Sequence, residues 1–297
     1  MSRKTSPNPL EHEHVPPRYL PNLHKYRYSG SDSSIIGNYI MQHWWSNVVK
    51  LVPKSVAPNA LTLAGFFVSL SSTILIAYYM FAENGVYPPF VWYYAAWALF
   101  TYQTLDAMDG KQARRTLSSS PMGELFDHGC DAFFTPMCQF NICAMFSLQG
   151  RAGCYFFLIV CSGMFFTIWE QFSTTTLAMG YINGPTDGIL LTCGCFILTG
   201  MHGTTWWLEE FQNPFVFAIA EKELVIGSAR DLLYLFTIIA AIGTVLTNFV
   251  HVFVTSESSR GVGKAVKALV PLLAVIASMI FVVEEFPDIL SRFPYVL

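Results

Sequence analysis

Seven apolar runs punctuate the chain, over residues 60–81, 89–105, 132–147, 152–169, 188–200, 232–254 and 268–283. Most approach the roughly 17 to 25 residues that a spanning helix requires, and the fifth does so only if it extends toward Trp207. The pattern predicts an all-α integral membrane protein, a polytopic helical bundle of about seven transmembrane helices. Ahead of the first run the period changes. Ile36, Ile40, Trp44 and Val48 recur every four residues, with Tyr39, Trp45 and Val49 alongside. Gln42, His43, Ser46, Asn47 and Lys50 take the other side. This predicts an amphipathic helix within 32–53 that is too polar to span and suited to the headgroup level. An ordinary helix packed on the domain is the alternative. Residues 1–31 carry five prolines (Pro7, Pro9, Pro16, Pro17, Pro21) and no apolar period, and are expected to be a disordered cytosolic tail. A core over 58–203, a non-cytosolic loop over 204–230 and C-terminal transmembrane helices over 231–297 complete the expected organisation.

Composition agrees with the pattern. The chain is 53% hydrophobic and 12% charged, about half the charged share of a soluble domain. The net charge of −3 says little, because in a membrane protein the placement of Lys and Arg matters more. With the N-terminus in the cytosol, thirteen of the 17 basic residues fall on the cytosolic side. Only Arg151, Lys222, Arg230 and Arg292 fall on the other. Nothing suggests a nucleic-acid partner, and the polar, proline-bearing first 30 residues do not resemble a cleavable leader. The seven cysteines lie in or beside apolar runs and read as packing residues.

One stretch stands apart: DAMDGKQARRTLSSSPMGELFDHGCD, from Asp106 to Asp131. Asp106 and Asp109 are three apart, Asp127 and Asp131 four apart, so each pair lies on one helix face. Each pair abuts an apolar run. Four aspartates at full membrane depth would cost roughly 10 to 14 kcal/mol, which divalent cations would relieve. Such carboxylates suit one or two hard cations that share their shell with substrate phosphates. Gly110 and Ala113 leave room beside the acids, and Arg114 offers a planar fork for phosphate oxygens, with Lys111 and Arg115 nearby. The three bases also fit plain positive-inside charge. His128, beside Asp127, is a candidate proton acceptor, with Asp131 as the competing one. Asn59, in VAPNALTLAGF, reads either as a helix cap or as an amide aimed at a polar site.

The stretch fills every fixed position of D-x2-D-G-x2-A-R-x8-G-x3-D-x3-D, with Asp106, Asp109, Gly110, Ala113, Arg114, Gly123, Asp127 and Asp131. It resembles the signature of the CDP-alcohol phosphotransferase family. The flanking APN-x-LT, SSSPMGELFDHGCD and INGPTDG are similar to its eukaryotic choline and ethanolamine phosphotransferases, over most of Tyr26 to Val283. The resemblance implies transfer of phosphoethanolamine or phosphocholine from the CDP ester to diacylglycerol, with release of CMP. It implies Mg²⁺ or Mn²⁺, two ions, on Asp106, Asp109, Asp127 and Asp131. It places Asn59, Gly110, Lys111, Gln112, Ala113, Arg114 and Gly123 at or beside the CDP-alcohol site. His128 inherits the role of base, and Asp187, where relatives often carry Glu, that of acidic helper. A multi-pass protein of the endoplasmic reticulum membrane, with the Golgi as second compartment and the site facing the cytosol, is implied. Relatives usually have about ten spans, so the C-terminal helices look truncated, and a homodimer is left open. Competing readings are a family member with an inositol or glycerol phosphate acceptor, an ion-coupled transporter and a non-catalytic binding member.

Overall fold

The computed structural model describes residues 28–219, 222–253 and 262–286. The tail expected over 1–31 therefore lies outside the described residues up to 27, as do 254–261 and 287–297 of the C-terminal region. The described chain is mostly helical. The amphipathic segment forms α1 (Gln42–Val48), extended by a π turn over Gly37–Met41 and a 3-10 turn over Val49–Leu51. There follow α2 (Pro58–Ala82), α3 (Pro89–Thr116), α4 (Pro121–Met145), α5 (Gly150–Thr174), α6 (Ile189–His202), α7 (Ala229–Phe253), α8 (Val262–Ala268) and α9 (Val270–Glu285).

Among the described residues four helical segments are long and apolar enough to cross a membrane: Pro58–Ala82, Gly150–Thr174, Ala229–Phe253 and Gly263–Glu285. The remaining apolar runs lie in α3, α4 and α6, which miss that mark. Helix α6 has 14 residues, about 21 Å at 1.5 Å per residue. The other two devote the ends that face each other to charged residues. At 28 residues, or about 42 Å, α3 is longer than the roughly 30 Å of a bilayer's hydrocarbon core. The four aspartates thus sit inside regular helices rather than at helix ends.

Two small sheets qualify the expectation of an all-α chain. Strands β1 (Gly30–Asp32) and β2 (Leu177–Met179) pair in parallel, Gly30 opposite Leu177 and Asp32 opposite Met179. Where 204–230 reads as a loop, a 3-10 turn over Thr204–Leu208 leads into an antiparallel hairpin of β3 (Glu210–Ile219) and β4 (Lys222–Ser228). Its registered pairs, Phe215 with Ile226 and Val216 with Val225, join aromatic and β-branched residues, which suit a pleated ladder.

The main core joins α2, α3, α4 and α6 through Ile76, Trp92, Leu99, Tyr102, Phe134 and Phe196. A second, smaller cluster of Val49, Leu61 and Met108 docks the amphipathic segment onto α2 and α3. Met41, Trp45 and Val49 therefore face the protein. Ile36, Tyr39, Ile40 and Trp44 stay exposed, so the segment carries apolar side chains on two faces.

Helices α2 and α3 approach closely at Gly65. A methyl there would stand 3.3 Å from Leu105 Cβ and 3.4 Å from the Tyr102 backbone. Small residues at helix crossings permit this approach. A Gly65→Val variant is expected to lose about 1–3 kcal/mol of stability through overpacking. An unchanged thermal midpoint in detergent would show that the two helices part without cost.

Candidate functional site

Helix α3 stops where Leu117 adopts a left-handed conformation (φ 55°) and Ser118 N–H returns to the Ala113 carbonyl at 2.9 Å. Three residues after Leu117, Ser120 caps α4, its hydroxyl accepting from Gly123 N–H at 3.1 Å, with Pro121 at the first helical position. This short connection folds α4 back along α3 and turns the two aspartate faces toward each other.

Ligand atoms of Asp106, Asp109 and Asp127 lie within 4.8 Å of one another. The Thr62 hydroxyl, from α2, donates to Asp109 Oδ2. The Oδ1 atoms of Asp106 and Asp127 are buried with no hydrogen-bond partner. Buried polar atoms are normally satisfied, and orphaned carboxylate oxygens converging on one point are what a hard cation takes up. The residues present therefore fit a divalent ion. Asp131 stands apart from this trio: the Tyr102 hydroxyl donates to its Oδ1 at 2.5 Å, and the Tyr102 ring stacks on Phe134 at 3.6 Å. His128 is half-buried on the same helix, three residues before Asp131.

The basic and small residues divide into two groups. Arg114 is exposed and folds over Gly110, where a methyl would stand 3.5 Å from its guanidinium. Ala113 is half-buried. Asn59 does not cap α2; Ala57 does, with Pro58 at the first position. Asn59 Oδ1 instead faces Gly123, where a methyl would stand 3.7 Å away. These residues border the carboxylates.

Lys111, Gln112 and Arg115 turn to the amphipathic segment and the elbow that follows it. Lys111 Nζ donates to Gln42 Oε1 at 2.7 Å and Ser46 Oγ at 3.1 Å. Burial, then the Arg114 charge, pushes its ammonium pKa down. Gln112 is fully buried; it donates to the Pro53 and Val56 carbonyls at 2.9 and 3.0 Å and accepts from Arg115. Arg115 also donates to the Val49 carbonyl. With its side chain committed in this way, Gln112 fastens the 53–56 elbow and is not available to a ligand. A Gln112→Leu variant leaves two carbonyls and Arg115 short of a partner, at about 1–3 kcal/mol for each unsatisfied group. It is expected to lower the thermal midpoint, and an unchanged midpoint would remove the clamp from this account.

Asp187 is held on both oxygens, by Ser34 Oγ at 3.1 Å and Asn183 N–H at 2.9 Å. Its turn is tied to α3 through Gln103 Nε2, which donates to the Pro185 and Thr186 carbonyls at 2.7 and 3.0 Å. Gln103 lies one turn before Asp106, so the turn stands beside the carboxylates while the Asp187 side chain serves the turn itself.

Several neighbours of the site have no role assigned by the sequence pattern. Thr62 is the last residue of APN-x-LT and falls one turn after Asn59, the signal by which spacing could have found it. Tyr102, Gln103 and Glu124, whose Oε1 accepts from Gln171 Nε2 at 2.6 Å, meet their partners only through packing. Tyr28, in the supposed tail, stands within electrostatic reach of Glu124, Asp127, Arg114 and Asp106.

Comparison with known proteins adds a second line of observation. Residues 55–215 match the family described as CDP-alcohol phosphatidyltransferase. The chain is 38% identical over 244 residues to choline/ethanolaminephosphotransferase 1 of Arabidopsis thaliana, covering 80% of this chain and 61% of that protein. It is 36% identical to choline/ethanolaminephosphotransferase 2 of the same plant, covering 93% and 71%. To cholinephosphotransferase 1 of Saccharomyces cerevisiae it is 30% identical, covering 93% and 73%. The chain thus spans about 61 to 73% of the length of these relatives.

Proposed function

The chain belongs to the CDP-alcohol phosphatidyltransferase family, and from that premise we propose that it transfers phosphoethanolamine or phosphocholine from the CDP ester to diacylglycerol, releasing CMP. The observation that carries this reading is the trio Asp106, Asp109 and Asp127, with its two orphaned carboxylate oxygens, beside an exposed Arg114. Acids for a cation and a fork for phosphate together suit a diphosphate ester.

Asp106, Asp109 and Asp127 hold Mg²⁺ or Mn²⁺ in this reading, with Asp131 completing a set for two ions. When bound, such ions neutralise charge on the diphosphate and on the departing CMP. Thr62 orients Asp109, and Tyr102 orients Asp131. Arg114 binds phosphate oxygens over Gly110, with Asn59, Ala113 and Gly123 shaping the same border. His128 takes the proton from the diacylglycerol hydroxyl as its oxygen attacks phosphorus. Lys111 and Gln112 support the site by holding the amphipathic segment, and Asp187 by holding its turn.

The same reading makes the chain a seven-span protein of the endoplasmic reticulum membrane with this site facing the cytosol, where the soluble ester and the bilayer-borne acceptor meet. A homodimer belongs to this reading too, and cross-linking in native membranes tests it. The transfer itself is tested with membranes of cells expressing the chain. Label from CDP-ethanolamine or CDP-choline should pass into organic-extractable phospholipid only with diacylglycerol and a divalent ion. Transfer that proceeds in EDTA, or none with any CDP-alcohol, ends the proposal.

A further inference from the structure

Helices α5 and α7 lie side by side and are pinned at two levels. Phe156 stacks on Tyr234 at a centroid distance of 5.4 Å, and Phe166 meets Phe249 at 5.2 Å. Between these levels the short side chains of Ser162 and Ala241 leave a groove of about 410 Å³. Leu158 and Ile159 of α5, Ile242 and Leu246 of α7, and Ile280 of α9 line it. All three helices lie in segments long and apolar enough to cross a membrane. Ile242, Leu246 and Ile280 are exposed, so the rim of the groove opens to the side. An apolar hollow gives water no partners, and a hydrocarbon chain that fills it recovers the dispersion contacts that a void forfeits.

One end of the groove is polar. Tyr155, which lines that end, donates its hydroxyl to Glu284 Oε1 at 2.5 Å, and Arg151 Nη2 stands 3.2 Å from Glu284 Oε2. Arg151 is one turn before Tyr155 on α5. The side chains of Arg151 and Glu284 are 52% and 45% exposed, and an ion pair so open to its surroundings is weak and leaves both charges able to take a further partner. From Arg151 to Ser162 the helix advances about 16 Å, close to half the roughly 30 Å core of a bilayer. The other end of α5 carries Gln171, whose amide reaches Glu124, one turn before Asp127 on α4. The polar end of the groove is thus at the opposite end of α5 from the carboxylate site.

We propose that this groove binds a zwitterionic glycerophospholipid of the leaflet opposite the carboxylate site, with one acyl chain along the groove and the headgroup on Arg151 and Glu284. Charge selects the headgroup. The guanidinium takes phosphate oxygens, and the carboxylate beside it takes the ammonium that the headgroup carries a short spacer away. An anionic lipid meets the same carboxylate with no ammonium to answer it, and a diacylglycerol offers neither charge. The bound lipid splints α5, α7 and α9 and is distinct from any acceptor or product at the carboxylates. The inference stands on the membrane-spanning helices and is independent of the transfer reaction.

Native mass spectrometry of the full chain in detergent counts bound lipid directly. The delipidated chain is titrated with dioleoyl phosphatidylethanolamine and with dioleoyl phosphatidylglycerol. It is expected to take up phosphatidylethanolamine about tenfold more tightly, the size of one charge-assisted contact. Ile242→Trp, which fills the groove from its exposed rim, should abolish that uptake. Arg151→Gln should weaken it about tenfold, and Glu284→Gln, which keeps an acceptor for Tyr155, should bring the two lipids level. All three positions are exposed, where substitutions cost little stability. Lipid held at the carboxylate site is indifferent to all three changes. Uptake that survives both Ile242→Trp and Arg151→Gln, or equal affinity of the unaltered chain for the two lipids, overturns the inference. So does a dimer that Ile242→Trp splits while lipid uptake holds, which assigns the groove to a second copy of the chain.

Discussion

Replacing Asp127 with Asn is expected to lower phospholipid formation by more than about 100-fold, because even partners one step removed from a metal ligand cost 10- to 100-fold. The same exchange should make the protein more stable when no divalent ion is present. Three carboxylates whose ligand atoms lie within 4.8 Å repel one another, by roughly 3.5 kcal/mol per ionised pair at an effective dielectric of 20. The orphaned Oδ1 of Asp127 adds an unsatisfied buried acceptor. The neutral amide relieves the repulsion at the expense of the cation site, the usual opposition between function and stability. Two measurements check this: label transfer from CDP-ethanolamine with Mg²⁺ or Mn²⁺, and the thermal midpoint in EDTA against Mg²⁺. Mg²⁺ should raise the midpoint of the unaltered chain and leave that of Asp127→Asn nearly unmoved. Full activity in the variant, or an equal Mg²⁺ shift in both, would remove the metal site.

His128→Ala should reduce kcat by about 10² to 10⁴-fold, the usual contribution of a positioned general base, while CDP-ethanolamine binds within about threefold of normal. The structure sharpens the choice between His128 and Asp131. Asp131 already accepts from Tyr102 at 2.5 Å, whereas His128 is half-buried beside it. A variant that keeps its rate would pass the role to another group.

Much of the site is legible in the spacing of the acids. Asp106 with Asp109, and Asp127 with Asp131, are neighbours on a helix by periodicity alone, and the signature joins both pairs in one chemistry. Spacing does not say which partners each carboxylate meets: Tyr102, buried on the core side of α3, donates to Asp131, and ligand atoms of Asp106, Asp109 and Asp127 converge. Gln112 and Lys111 read as neighbours of a phosphate site because they sit between Gly110 and Arg114. A helix turns 100° per residue, however, so adjacent positions face different ways. These two point to the amphipathic segment. The 204–230 region reads as loop because acidic residues split its apolar residues into short runs, yet cross-strand pairs such as Val216 with Val225 form a hairpin. Tyr28 and Ser34 lie in or at the edge of a stretch without apolar period, and their places come from backbone pairing with a segment nearly 150 residues away.

The apolar helices, the placement of acids and bases at one junction between them, and the family are all readable along the chain. Each is a local property of composition, period or motif, carried by residues within one or two helical turns. Which acids converge and which basic residue stays exposed follow from packing between segments. Those outcomes depend on the α3–α4 connection and on the turn at Asn183. Contacts between segments far apart in sequence leave no period in either one.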